Sequence, residues 1–493
     1  MDFVSQAVRR VSGAGRRGDA SPGLVMVIVC AGVVLASLDL FIVNVALPDI
    51  ARDLHQRSLA ELSWVLNAYA IVYAAALVVL GRLSEGRRRD NGFLLGVMIF
   101  TLASAACGAA SDLTVLVVCR IAQALGAALL TPTSLGLVLA TTPAERRHGA
   151  VRAWTAVGGL AAALGPVVGG LLVAASWRWV FYVNVPIGLL AAVIGWRKLP
   201  RVAGHPVQRP DGLGAVLVTA GTAALTLGLV ESNDWGWLNA RTVAALAGAV
   251  IALAAFAWRC THYRAPLIDM ALLRVRAFSG SSLVSVIFST AFGAMLFSRV
   301  LWCQDVWGWS ALHTGLALAP GPLMVPLFSF LVTGRLIRRF GPGPTIGMGA
   351  TVFAAGAVWW AVATGLGPDY LGDMLGGTLL TGAGVGLTLP TFMATGAASL
   401  PAHSFATGSA VLNMLRQVGL AVGIAIFVAV LGTPHDPHAE LSAYRVEWLV
   451  IAGSSLLAAL AGLATMSGRH TTAASGPAAD PDPAGAAALE TSR

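Results

Sequence analysis

The chain has 493 residues, of which 57% are hydrophobic and 11% charged, with a formal net charge of +9. A composition this apolar excludes a soluble globular core, and the basic excess is spread along the chain, so no nucleic-acid partner is expected. Nine histidines and five cysteines show no ligand or paired spacing, so neither a metal centre nor a disulfide framework is expected.

Residues 1–23 form a short basic tail. Apolar runs of about twenty residues then recur from end to end, each long enough to cross ~30 Å of hydrocarbon. Fourteen spans are expected, at roughly 24–46, 61–81, 93–110, 113–139, 150–174, 179–196, 212–231, 241–259, 279–301, 312–333, 345–365, 372–392, 407–431 and 446–466. The first run is too long for a signal-peptide core and reads as a retained span. Residues 468–493, rich in Ala, Pro, Gly and Asp, form a disordered tail that buries no core. The fold class is therefore an all-α polytopic membrane protein.

Span 1 carries Asp39 among apolar and small polar residues such as Ser37 and Asn44, and Asp39 reads as the only carboxylate set deep in a span. An acid at that depth costs ~2.5–3.5 kcal/mol on insertion scales, so its default reading is functional. Span 2 holds Asn67, Tyr69 and Tyr73, which suit either a cavity wall or packing. Span 4 carries Arg120 and Gln123. Arg120 lies about 10 Å inside the external end of its span at 1.5 Å per residue, and Asp39 lies at a similar depth. Two readings of the pair stand open: a group tuned to load and release one proton, or a permanent ion pair joining spans 1 and 4.

Span 5 carries Gly158, Gly165, Pro166, Gly169 and Gly170, a surface without side chains that suits either sliding or static packing. Arg299 near the end of span 9 reads as snorkelling to the external interface, with a contact to an anionic or polar substrate as the sharper alternative. Gln304 follows it, and span 13 carries Asn413, Arg416 and Gln417. No second deep carboxylate is expected in the later spans.

Arg and Lys set the orientation. With the N-terminus inside, the external loops hold only Arg52, Arg57, Arg178, Arg241 and Arg445, so both termini are expected to be cytoplasmic, which requires an even number of spans. Tryptophans at the external ends, among them Trp64, Trp177, Trp302, Trp307 and Trp448, read as interfacial anchors. Gly81-Arg82-Leu83 after span 2 is echoed by Gly334-Arg335-Leu336 after span 10. A repeat displaced by eight spans predicts two six-helix bundles, residues 24–196 and 271–467, with spans 7 and 8 inserted in 197–270. Repeated halves are typical of secondary transporters, with the binding site at the repeat interface.

The single lysine, Lys198, does not follow a glycine-rich loop, so a phosphate-binding loop is impossible here. No histidine lies deep in a span, which weakens an intramembrane hydrolase. Transport driven by an ion gradient, or passive conduction, remains.

Taken in order, several motifs carry a resemblance: Leu38-Asp39 to Leu47-Pro48, Arg120 to Gly126 with Pro132, Gly158-Gly159 with Gly165-Pro166 and Gly169-Gly170, Trp177 to Gly188, Asp211 to Gly214, Gln304 to Gly308, and Asn413 to Gly419. Together they resemble the major facilitator superfamily, specifically its fourteen-span drug:proton antiporter family, over about residues 24–466. The resemblance implies the major facilitator fold and proton-coupled export of amphipathic small molecules by alternating access, with no cofactor beyond the proton gradient. It implies a multi-pass protein of a bacterial inner membrane, expected as a monomer. The span-5 glycine-proline segment matches the family's antiporter signature, and Asp39 and Arg120 become proton-coupling candidates. Asn44, Asn67, Tyr69, Tyr73, Gln123, Gln304, Asn413, Arg416 and Gln417 become candidates for the substrate cavity. The loop after span 2 resembles the superfamily's gating motif, which makes Gly81, Glu85 and Arg89 gating candidates. It departs from the pattern, with Glu85 for the usual Asp and Arg88 at the usual Gly position. The rivals are a coupled importer on the same fold and a non-transporting sensor or scaffold.

Overall fold

A computed structural model describes residues 21–56, 58–86, 88–143, 146–203, 211–400, 405–434 and 436–466. Most of both expected tails and the side chain of Glu85 lie outside the described residues. Among the described residues all regular structure is helical.

Thirteen helices among the described residues are long and apolar enough to cross a membrane. A further bent helix makes the count fourteen. We number them α1 (Pro22–Asp53), α2 (Leu59–Glu85), α3 (Arg89–Gly108), α4 (Leu113–Thr141), α5 (Arg147–Val173), α6 (Trp179–Lys198) and α7 (Gly212–Val230). The second half comprises α8 (Ala240–His262), α9 (Arg276–Val306), α10 (Ala311–Phe340), α11 (Pro342–Ala363), α12 (Tyr370–Ala398), α13 (Phe405–Leu431) and α14 (Pro437–Met466). The break between α3 and α4 falls where the sequence placed its shortest connection, because Asp112 caps α4 by accepting from the Val115 N–H at 2.9 Å.

The bent helix is α5, whose two parts, Gly149–Ala162 and Leu164–Val173, diverge by 41°. Pro166 explains the bend: it has no N–H to offer the carbonyl four residues back, at Ala162, and its ring crowds that carbonyl.

Packing repeats with a displacement of eight helices. In the first bundle α1 packs on α4, α5 and α6, while α4 packs on α2 and α3; in the second, α9 packs on α12, α13 and α14, while α12 packs on α10 and α11. The bundles meet along two seams, α2 with α13 and α5 with α10. The inserted helices pair with each other, and α7 covers the α2/α13 seam.

Three sequence expectations change. The last span begins at Pro437 instead of 446. Asp436 caps it, accepting from the His438 and Ala439 N–H groups at 2.9 Å, so the helix starts in a polar stretch that hydropathy leaves out. That extension puts Glu447 well inside the span at 0% exposure, with neither carboxyl oxygen partnered, so Asp39 is not the only deep acid. Several tryptophans are also not anchors: Trp177, Trp302, Trp307 and Trp448 are buried. Trp302 meets Tyr444 and Trp448 edge-on at 4.9 and 5.4 Å between ring centroids. Rings at a span end fill the space between α9 and α14 where the sequence pattern suggested lipid headgroups.

Candidate transport cavity and buried acid network

Between the bundles lies a cavity of about 770 Å³. Its walls run from Arg82 and Arg89, at the Arg-rich ends of the helices, to Phe41 and Arg299 deep inside. Tyr69 and Tyr73 of α2, Trp154 of α5, and Asn413, Arg416 and Gln417 of α13 line it. The opposite end is shut. There the Gln304 amide donates to the Val45 carbonyl at 2.9 Å, joining α9 to α1. A Cβ on Gly170 would stand 2.6 Å from the Ala311 carbonyl oxygen, and one on Gly315 would strike the Pro166 carbonyl. Only glycine lets the α5 and α10 backbones touch at both points.

Three further α5 glycines face α1: a Cβ on Gly158 would meet Val33, one on Gly165 Phe41 and one on Gly169 Ile42. One helix thus presents bare backbone to two neighbours in different bundles.

Behind the cavity wall the first bundle encloses a polar core. Asp39 and Arg120 are both at 0% exposure and form an ion pair at 2.5 Å. The second Asp39 oxygen accepts from the Gln123 amide at 2.8 Å and from the Asn184 amide at 3.5 Å. Arg120 also donates to the Gln123 side-chain oxygen at 2.7 Å and, through Nε, to the Val65 carbonyl at 3.1 Å. Ser104 ties α3 in, receiving from Gln123 at 3.3 Å and Asn184 at 3.0 Å and donating to the Phe181 carbonyl at 2.9 Å. The hydrogen-bond partners of Asp39 among the described residues are all N–H donors, a pattern that satisfies a carboxylate and leaves its charge compensated. In this core Arg120 Nη2 and the Asn184 amide oxygen are left without hydrogen-bond partners.

Tyr69 separates the two regions. Its ring lies under the Arg120 guanidinium, 4.2 Å from centroid to Cζ, and it also lines the cavity. It stacks on Tyr73 at 5.9 Å, whose hydroxyl bonds Thr131 at 2.9 Å.

The structure separates the residues grouped by the sequence as cavity candidates. Tyr69, Tyr73, Asn413, Arg416 and Gln417 line the cavity; Asn44, Asn67, Gln123 and Gln304 do not. Asn44 and Asn67 turn back onto their own helices, donating to the Leu40 carbonyl and the Ser63 hydroxyl. Gln123 belongs to the acid network and Gln304 to the closed end. Arg299 is 4% exposed and does not snorkel. It lines the deep end of the cavity and lies over the Trp360 ring at 5.3 Å, because α9 continues past it through a π-turn at Trp302–Val306. Sequence reasoning gave no role to Ser104 and Asn184. Asn184 stands in the motif after span 5, while a lone serine in an apolar span carries no signal.

At the end of α2, a Cβ added to Gly81 would stand 3.6 Å from Pro132, and Arg89 donates to the Gly136 carbonyl at 3.2 Å. Arg88 pairs with the buried Asp90, and that bond raises the Arg88 guanidinium above its ordinary value. These contacts fasten α2 and α3 to α4 within one bundle.

Comparison with known proteins agrees with this architecture. The family model of the Major Facilitator Superfamily matches residues 29–424. The chain is 33% identical over 477 residues to the tetracenomycin C resistance and export protein of Streptomyces glaucescens, covering 94% of this chain and 87% of that one. It is 35% identical over 411 residues to the puromycin resistance protein pur8 of Streptomyces alboniger, covering 81% and 80%. Its fold is shared with a D-xylose-proton symporter of known structure, at a TM-score of 0.65 and 13% identity, over 90% of this chain and 97% of that one. With fourteen spans in two repeated bundles around a central cavity, this chain belongs to the major facilitator superfamily of membrane transporters and is not an enzyme.

Proposed function

We propose that the protein exports amphipathic organic compounds from the cytoplasm in exchange for protons, by alternating access across a bacterial inner membrane. The observation that carries this reading is the Asp39–Arg120 pair, sealed in the first bundle next to an open, mostly apolar cavity, with Tyr69 touching both. The names of relatives sharing about a third of their residues with this chain, a tetracenomycin C export protein and a puromycin resistance protein, favour export. The Arg-rich face, where the cavity opens, is taken as cytoplasmic with both termini on it, and the working unit as a monomer.

In this scheme the cavity-open state holds Asp39 as a paired carboxylate that has released its proton inward. Substrate lodges against Tyr69, Tyr73, Asn413, Arg416 and Gln417. The two bundles, 24–196 and 271–467, then rock about the α2/α13 and α5/α10 seams. The α5 segment Gly158, Gly165, Pro166, Gly169 and Gly170 serves as the hinge surface, and Gly81, Glu85 and Arg89 belong to the inner gate. Asp39 takes up its next proton from outside once Arg120 has moved. One proton crossing ~100 mV supplies about 2.3 kcal/mol, roughly a fiftyfold gradient for a neutral substrate. Residues 197–270 are an insertion that braces the α2/α13 seam.

The test is a drug-susceptibility panel in an efflux-deficient bacterial host. Wild type is expected to raise resistance to several amphipathic compounds, and Asp39→Asn to return it to the empty-vector level at equal membrane abundance. Equal resistance from both forms sinks the coupling role of Asp39.

A further inference from the structure

Resting on the export reading, the charges on the cavity wall name a substrate class. Four guanidinium groups line the cavity, from Arg82 and Arg89 at the mouth to Arg416 and Arg299 deep inside. Among the described lining residues none is Asp or Glu. None of the four has a carboxylate partner among the described residues, where the ion pairs all lie elsewhere.

Arg299 is the telling member of this set. It sits at the closed end of the cavity, 4% exposed, with Nε and Nη1 lacking any hydrogen-bond partner. Trp360 supports one face of its guanidinium. Gly321 packs beside Nη1: an added Cβ there would stand in contact with it at 3.6 Å and crowd Thr378 at 3.1 Å. An arginine stays charged under all physiological conditions. A buried guanidinium with no carboxylate partner and with unpartnered donors favours an oxyanion beside it. The surrounding wall is apolar and aromatic, with Phe41, Phe292, Trp154 and Tyr73 among its members.

We infer that this cavity takes amphipathic organic acids, whose carboxylate, enolate or sulfonate group docks on Arg299 while the ring system lies against the aromatic wall. Arg416 and the two arginines at the mouth draw such anions in and disfavour lipophilic cations. Exit of an anion also runs with a membrane potential that is negative inside, so proton entry and substrate exit are driven in the same sense.

The full-length protein in proteoliposomes under an imposed pH gradient decides this with three probes. Anilinonaphthalene sulfonate and phenylnaphthylamine share a ring system and differ by the anionic group, and tetraphenylphosphonium is a lipophilic cation. Wild type is expected to move the sulfonate with the lowest KM. Arg299→Gln is expected to raise that KM at least tenfold, about 1.4 kcal/mol, with kcat and phenylnaphthylamine transport little changed, and Arg299→Lys to restore part of the loss. Intact phenylnaphthylamine transport reports that the variant is folded. Preference of wild type for tetraphenylphosphonium, or an equal loss of both naphthyl probes in Arg299→Gln, overturns the substrate class and leaves proton-driven export standing. Movement of none of the three probes by wild type overturns export and the substrate class together.

Discussion

Asp39 and Glu447 show how differently two buried acids are treated by one chain. Asp39 gathers Arg120, Gln123 and Asn184 from two further helices, whereas both Glu447 oxygens are bare. A buried polar group left without partners costs about 1–3 kcal/mol. Glu447→Met, which fills similar volume without that cost, is therefore expected to raise the apparent melting temperature of the purified protein. A drop of several degrees would mean that Glu447 has a partner that matters. The Asp39 layer was legible in the sequence because helical rise alone places Asp39 and Arg120 at one depth. Glu447 was not, since it follows a polar stretch that hydropathy treats as loop until Asp436 is seen to cap a helix there. Arg299 was misplaced for a related reason. Counting residues to a span end gives depth along the helix axis but not which way the side chain points, and here it points into the cavity.

At the scale of elements, α5 touches both bundles. It is bent at Pro166, grooved against α1, and in backbone contact with α10 at Gly170 and Gly315. The glycine-proline run was plain in the sequence. Its second face, toward α10, was not, because a stripe of glycines does not say which neighbour fills it. Gly315→Val forces the two backbones apart at the closed end. In a background retaining Cys303 as the only cysteine, this variant is expected to react with a membrane-impermeant maleimide from outside at least several-fold faster than its Gly315 parent. Cys303 is buried at that end of α9 when the seam is shut. Equal labelling rates would place the outer seal elsewhere. Pro166→Ala restores a backbone donor to α5 and is expected to slow turnover while leaving substrate affinity unchanged, measured as a fall in kcat at constant KM.

For the whole molecule, the echo between Gly81-Arg82-Leu83 and Gly334-Arg335-Leu336 was enough to predict a repeat displaced by eight helices, and the matched packing in the two bundles has that displacement. Which seams join the bundles was beyond the sequence, since inter-bundle contacts rest on small residues such as Ala74, Ala75 and Gly170 that look like any other membrane packing. The two repeats are alike in helix packing and unlike in chemistry: the first holds the compensated acid, the second the uncompensated Arg299.

Tyr69 lies between Arg120 and the cavity, so on the proposed coupling through Asp39 proton and cargo occupy separate places. Acidifying the cavity side should then depress maximal velocity without shifting half-saturation, the signature of noncompetitive inhibition. Tyr69→Leu, which removes the ring beneath Arg120, is expected to replace that pattern with proton leak in the absence of cargo.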